Sequence, residues 1–114
     1  MDYKPYNRDL ENVKRIRGQK IRHLVLGIIG MILCVSIAIY VVSDQNNKAR
    51  IYTHAEELLS AKNYVGARSG FEKCSTYKDS QERITESYYL EGMDRFNAQE
   101  YNEAIELFEN ARGY

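Results

Sequence analysis

The sequence predicts an all-α protein, with one transmembrane helix followed by a short array of helical hairpins. Three observations support this fold class. Nineteen consecutive residues, 24–42, contain no charged side chain. The residues that follow repeat with an offset of 37. Capping-box patterns at 53–56 and 79–82 mark two helix starts.

The apolar segment 24–42 (LVLGIIGMILCVSIAIYVV) has the length and composition of a membrane span. As a helix it reaches about 28 Å, close to the ~30 Å hydrocarbon core of a bilayer. Twelve of its residues are Leu, Ile or Val, which together favour insertion by at most about 4 to 7 kcal/mol. A buried core helix is the less favoured alternative, because a small domain rarely surrounds so long a helix with apolar groups.

Charge on the two sides of this segment predicts its orientation. Residues 1–23 hold seven Lys or Arg and three Asp or Glu, a net charge of +4, whereas residues 43–114 hold nine and thirteen, a net charge of −4. The positive-inside rule then places the N-terminus in the cytoplasm and the C-terminal domain outside the plasma membrane. A cleaved signal peptide is the alternative, since Ser36-Ile37-Ala38 resembles a cleavage site, but the apolar run continues to Val42 and favours an uncleaved anchor.

The chain divides into four parts. Residues 1–23 form a basic cytoplasmic tail, 24–42 a transmembrane helix, 43–52 a linker or helical stalk, and 53–114 the helical repeats. The sequence does not choose between a flexible linker and a helix for 43–52. The caps and turn residues predict helices over 53–62, 65–75, 80–98 and 101–112.

An internal repeat defines the last part. Residues 64–77 align with 101–114, and the alignment extends upstream. Such a period is typical of a helical solenoid. The matched pairs are Ala55 and Gly92, Tyr64 and Tyr101, Ala67 and Ala104, Phe71 and Phe108, Cys74 and Ala111, and Tyr77 and Tyr114.

This pattern resembles the tetratricopeptide repeat, in which a small residue lies midway along the first helix, an aromatic residue opens the second, and Ala-x-x-x-Phe-x-x-Ala follows. The resemblance covers about 60 residues; it departs from the family in its period of 37 rather than 34 and in having Asp79 near the place of the terminal proline. It implies hairpins that recognise proteins or peptides. An unrelated pair of helical hairpins is the alternative.

The end of the array is unusual for such a repeat. Lys78-Asp79-Ser80 follows Tyr77 and opens the next helix, but no such segment follows Tyr114. Solenoids normally cover their last apolar face with a capping helix. We therefore expect either that the chain is a fragment of a longer, truncated array or that a partner covers Phe108 and its neighbours.

Nothing in the sequence indicates catalysis. Neither His23 nor His54 lies at metal-ligand spacing from a Cys, an Asp or a second His, and no glycine-rich phosphate loop occurs. The sequence therefore predicts no enzyme, no metal and no cofactor. The basic tail adjoins the predicted bilayer, so anionic lipid headgroups are a nearer partner than nucleic acid, which we do not expect.

The functional prediction is a membrane-anchored scaffold or adaptor that binds a protein or peptide partner. A bacterial cell envelope fits best, because no Asn-x-Ser/Thr site follows Val42. The alternative is an assembly subunit that forms a homo-oligomer through the uncapped repeat or the span. In the span, Gly30, Cys34 and Ala38 form a stripe of small residues that allows close helix contact, although chance spacing is the simpler explanation.

Overall fold

The chain folds into α-helices throughout the part that the structure describes. A computed structural model gives the backbone of residues 4–114 and the side chains of residues 8–114. These residues form helices α1 (Lys4–Ser60), α2 (Tyr64–Lys73), α3 (Ser80–Asn97) and α4 (Tyr101–Asn110), and they include no strand. The all-α prediction is confirmed. The chain divides into two compact units, with the boundary between Val41 and Val42.

The first unit is the N-terminal part of α1. Its most apolar 18-residue window has a mean hydropathy of 2.8, and none of that window is buried. By length and composition this helix can cross a membrane. The predicted basic tail is helical from Lys4, and its residues 1–3 lie outside the described residues.

Residues 43–52 are helical and form part of the continuous helix α1. The helix start predicted at Thr53 is wrong. Thr53 lies inside α1, where its hydroxyl donates to the Ala49 carbonyl over 3.0 Å. A capping side chain bonds free N–H groups of a first helical turn. At Thr53 no such free N–H groups exist, because the N–H groups here already bond to carbonyl groups of the preceding turns of α1.

The second capping box is only half right. Asp79 is the N-cap residue of α3, but its side chain makes no capping bond. Its Oδ1 instead accepts a hydrogen bond of 2.5 Å from the Tyr52 hydroxyl. The side chain that does cap a helix is Asn63, whose Oδ1 accepts from the Gly66 N–H at the start of α2 over 3.0 Å.

Two helical hairpins make up the second unit, and three of their four helix limits differ by 37 residues. We call residues 43–73 (the end of α1, and α2) the first hairpin, and residues 80–110 (α3 and α4) the second hairpin. The helix ends Ser60 and Asn97 correspond at this offset, as do both ends of α2 and α4.

The turns inside the hairpins also correspond bond for bond. Lys62 and Gln99 both adopt left-handed backbone conformations, with φ of 59° and 65°. In the first turn the Asn63 N–H donates to the Leu58 carbonyl over 2.8 Å; the equivalent bond in the second, from Glu100 to Arg95, measures 2.9 Å. Each is a Schellman turn, which satisfies the last carbonyls of a helix.

The core lies between α1 and α2 in the first hairpin. Its buried residues are Tyr52, Ala55, Ala67, Phe71 and Cys74. The two helices approach closely because Gly70 faces Ala55: a Cβ atom added to Gly70 would lie 2.7 Å from the Ala55 Cβ.

Candidate protein-interaction surface

The hairpins share an aromatic cluster as well as three of their helix limits. In the first, the Tyr52 ring packs edge-on against Phe71 and Tyr77, with ring centroids 5.4 and 5.5 Å away. In the second, Tyr89 packs against Phe108 and Tyr114 at 5.8 and 5.2 Å. Each residue of the first cluster lies 37 positions before its counterpart. The sequence repeat is thus matched by a repeat of side-chain contacts.

The ten predicted packing residues are not equally buried. Tyr101 is exposed, and Tyr64 and Phe108 are half-buried. The other seven are buried: Ala55, Ala67, Phe71, Cys74, Gly92, Ala104 and Ala111. The equivalence of the two positions predicts that Phe71 and Phe108 form the most buried aromatic pair of the repeats, with an open face beside Phe108 at the end of the array. Phe71 is fully buried, whereas Phe108 is half-buried, because no helix among the described residues covers the outer side of α4.

The phenylalanine of the second hairpin nevertheless fills a close contact within that hairpin. A Cβ atom added to Gly92 would lie 2.7 Å from Cε1 of Phe108. The absence of a side chain at Gly92 therefore allows α3 and α4 to pack around the ring. One edge of Phe108 is held in this way, and the other is open.

An ion pair joins the first hairpin to α3. The Arg68 guanidinium contacts the Glu91 carboxylate over 2.8 Å, and both side chains are mostly buried. The same guanidinium stacks over the Tyr88 ring, 4.2 Å from its centroid. Breaking one partner of such a pair leaves a buried charge uncompensated, which is strongly destabilising.

A second polar contact lies one turn further along the same two helices. The Tyr64 hydroxyl donates to Asp94 over 2.7 Å, and the Lys62 ammonium lies 3.1 Å from that carboxylate. Burial, together with this hydrogen bond, raises the pKa of Tyr64 to about 12. The Tyr64 hydroxyl and Lys62 hold the pKa of Asp94 below its usual range. Sequence reasoning missed both contacts, because the partners lie 23 to 32 residues apart and no local pattern marks them.

The outer side of the second hairpin is apolar and open. We call Tyr101, Ile105 and Phe108 the α4 face; they lie at i, i+4 and i+7 of one helix. Tyr101 is 52% exposed and Ile105 58% exposed. Phe96 of α3 extends this surface, with its ring 5.5 Å from that of Tyr101. Exposed apolar patches of this kind mark interaction sites on soluble domains.

The opposite end of the array presents a different surface. We call Ile51, His54 and Glu57 the α1 face; they lie at i, i+3 and i+6 of α1. His54 and Glu57 have side chains 71% exposed and lie 3.6 Å apart. These three residues line an open groove of about 890 Å³ between α1 and α2.

The predicted stripe of the membrane segment lies on the exposed surface of α1. Gly30, Cys34 and Ala38 are all exposed, and a Cβ atom added to Gly30 would meet nothing within 4 Å. A contact with a second membrane helix stays a prediction.

Among the described residues no cluster of three or more His, Cys, Asp or Glu side chains could hold a metal ion. No known protein family, curated protein or solved structure matches the chain.

Proposed function

We propose that this protein is a single-pass membrane protein whose two hairpins form a protein-interaction module on the extracytoplasmic side of the plasma membrane. The observation that carries the proposal is the α4 face, where Tyr101 and Ile105 are exposed although their equivalents Tyr64 and Arg68 contact α3 in the first hairpin. A partner that covers them removes apolar surface from water, at about 25 cal/mol per Å². The module acts by binding, as a scaffold or adaptor, and not by catalysis.

The likeness to tetratricopeptide repeats supports the binding role. Both hairpins keep a small residue at the close contact between their helices, Ala55 in the first and Gly92 in the second. Both also pack a phenylalanine between the helices. The functional step from this likeness is an analogy of fold, since folds of one kind serve many purposes.

The membrane half of the proposal depends on α1 and on charge. The apolar window of α1 is wholly exposed, and lipid is the surrounding that suits it. The +4 charge before this segment and the −4 charge after it favour a cytoplasmic N-terminus. Arg15, Arg17 and Arg22 then lie where anionic lipid headgroups can bind them. A bacterial cell envelope is the setting we propose.

Site-specific photo-crosslinking in living cells tests the binding role. A benzophenone amino acid replaces Ile105 of the full chain in one strain and Val65 in another. Val65 is a matched control, because it is also a β-branched residue on a short helix and is 67% exposed. We expect a covalent adduct with protein from position 105 and none from position 65. Equal or absent adducts at both positions would refute the proposed binding surface.

Protease protection tests the orientation separately. Protease added to intact spheroplasts should digest residues 43–114 and leave the N-terminal tail detectable with a tail-specific antibody. Lysis before digestion is the control, since it should expose both sides. A C-terminal domain that survives digestion of intact spheroplasts would overturn the proposed topology.

A further inference from the structure

We infer that the partner of the α4 face is a second copy of this chain, whose α1 face docks there as α3 docks on α2 within one chain. The inference rests on the proposed function, because it names the partner of the surface proposed above. It follows from comparing one interface that the structure shows with the two surfaces that it leaves open.

The interface between α2 and α3 supplies the pattern. Tyr88, Glu91 and Asp94 of α3 meet Arg68 and Tyr64 of α2. Arg68 pairs with Glu91 over 2.8 Å and stacks on Tyr88, while Tyr64 donates to Asp94 over 2.7 Å. This contact joins the second helix of one hairpin to the first helix of the next.

The 37-residue offset carries these five positions onto the two open faces. Tyr64 and Arg68 correspond to Tyr101 and Ile105 of the α4 face. In the same way Tyr88, Glu91 and Asp94 correspond to Ile51, His54 and Glu57, which are the α1 face. The α4 face is thus the exposed equivalent of the α2 side of the interface between α2 and α3. The α1 face is the exposed equivalent of the α3 side.

The substitutions between the two sets are complementary. The Tyr101 hydroxyl would meet the Glu57 carboxylate, which repeats the bond from Tyr64 to Asp94. Ile105 replaces Arg68 where Ile51 replaces Tyr88, so an apolar contact takes the place of a stacked cation. A buried carboxylate without a cationic partner would be destabilising. Because His54 replaces Glu91 where Ile105 replaces Arg68, the contact between copies buries no such carboxylate.

Arg50 is larger than its equivalent residue in α3 and, unlike that residue, carries a positive charge. Arg50 corresponds to Ser87, a fully buried residue of α3. Every charged side chain of α4 is a carboxylate: Glu103, Glu106 and Glu109. The equivalent helix α2 instead carries Arg68, Glu72 and Lys73, so a positively charged residue at Arg50 would meet an acidic helix in the contact between copies.

Each copy carries both faces, so the contact does not close on itself. Head-to-tail contacts of this kind extend into chains unless the rotation per step closes a ring. The purified full chain in detergent micelles should therefore form dimers and larger species as its concentration rises. Analytical ultracentrifugation matched to the detergent density measures this directly.

Three variants decide whether the proposed register is correct. Ile105→Arg places a cation opposite His54 and should weaken association at least tenfold. Val65→Arg adds the same charge on an exposed site outside both faces and should have no effect. Combining Ile105→Arg with His54→Glu recreates the observed pair of Arg68 and Glu91 between copies, and should restore association. Circular dichroism should show equal helix content in all of them, since Ile105 and His54 are exposed.

Other results would overturn the inference. A monomer at all concentrations would do so, as would oligomers that Ile105→Arg leaves intact, because these would form through another surface. Failure of His54→Glu to restore the Ile105→Arg variant would reject the register. If position 105 crosslinks only to a different protein in cells while the purified chain stays monomeric, the proposed binding surface stands and self-association fails.

Discussion

The two hairpins share the end of their first helix, both ends of their second helix, the turn between them and an aromatic cluster, yet they differ in burial. Phe71 is fully buried in the first hairpin, and its equivalent Phe108 is half-buried in the second. The cause is the next helix along: Ile84 of α3 packs on the core around Phe71. No described residue takes that place beside Phe108. The repeat sets which residues point toward a neighbour, and the neighbour itself sets how deeply they are buried.

Replacing each phenylalanine by alanine should give the largest difference in unfolding free energy between the two hairpins. Phe71→Ala should cost roughly 3 to 5 kcal/mol of unfolding free energy, because it opens a cavity in a closed core. Phe108→Ala should cost only about 1 to 2 kcal/mol, since part of the ring is in water already. Urea unfolding of the full chain in micelles, followed by tyrosine fluorescence, measures both. Equal costs would mean that the hairpins are equally packed despite their different exposure.

Adding a methyl group at the close helix contacts should give the next largest difference. Gly70→Ala brings a Cβ within 2.7 Å of the Ala55 Cβ, which is fixed to the backbone of α1. Gly92→Ala meets the half-exposed Phe108 ring at a similar distance, and this ring can rotate away. We expect a loss of about 1 to 3 kcal/mol at Gly70 and a smaller loss at Gly92. Thermal melting of both variants tests the order, and a larger loss at Gly92 would contradict it.

Cys74→Ala makes the first hairpin resemble the second, where Ala111 lies at the equivalent position. Both residues are buried. Removing one sulfur atom should cost about 1 kcal/mol, close to the value for a buried methylene group. The reverse change, Ala111→Cys, should be tolerated because this end of the hairpin is less enclosed. Chemical denaturation measures both changes, and a loss above about 3 kcal/mol for Cys74→Ala would show that the site cannot relax.

The smallest expected effect is on the pH dependence of stability. The pKa of Asp94 is lowered by the Tyr64 hydroxyl, so its stabilising contribution is present at neutral pH and is lost as pH falls through the folded-state value. The pKa of Tyr64 is raised to about 12 by burial and this bond. Its contribution is present below pH ~10 and is lost as pH rises toward 12.

Replacing the two equivalent tyrosines tests this assignment. Tyr64→Phe should flatten both limbs of the plot of unfolding free energy against pH. Tyr101→Phe, measured at a concentration at which the chain is monomeric, should leave the plot unchanged, because within one chain Tyr101 packs on the Phe96 ring and has no carboxylate partner among the described residues. A change of similar size in both variants would show that other groups control these limbs.

Sequence reasoning predicted the helices of the repeat well where local signals mark their ends. Tyr101 begins α4 as predicted, and α3 was expected over 80–98 and spans Ser80–Asn97. The cap at Thr53 failed because a capping pattern can also occur inside a continuous helix. Whether a side-chain oxygen caps a helix depends on free N–H groups, and the four-residue pattern does not report those.

The contacts between hairpins could not be predicted in the same way. The offset of 37 shows that Arg68 and Ile105 occupy one register, but not that Arg68 pairs with Glu91. That pairing depends on the crossing of α2 and α3, which the sequence spacing leaves undefined. The lack of a segment like Lys78-Asp79-Ser80 after Tyr114 indicated an open face at Phe108, but the identical patterns around Phe71 and Phe108 do not show how deeply each ring is buried.

The left-handed turns suggest where this fold could be made more robust. Lys62 and Gln99 adopt a backbone conformation that costs a side chain roughly 1 to 2 kcal/mol and that glycine adopts freely. Lys62 is partly compensated by its contact with Asp94. Gln99 makes no side-chain hydrogen bond among the described residues. Gln99→Gly should therefore stabilise the second hairpin by about a few tenths of a kcal/mol, after subtraction of the larger backbone entropy that glycine loses on folding. An engineer could therefore raise the melting temperature of the array at a loop residue, without altering either open face.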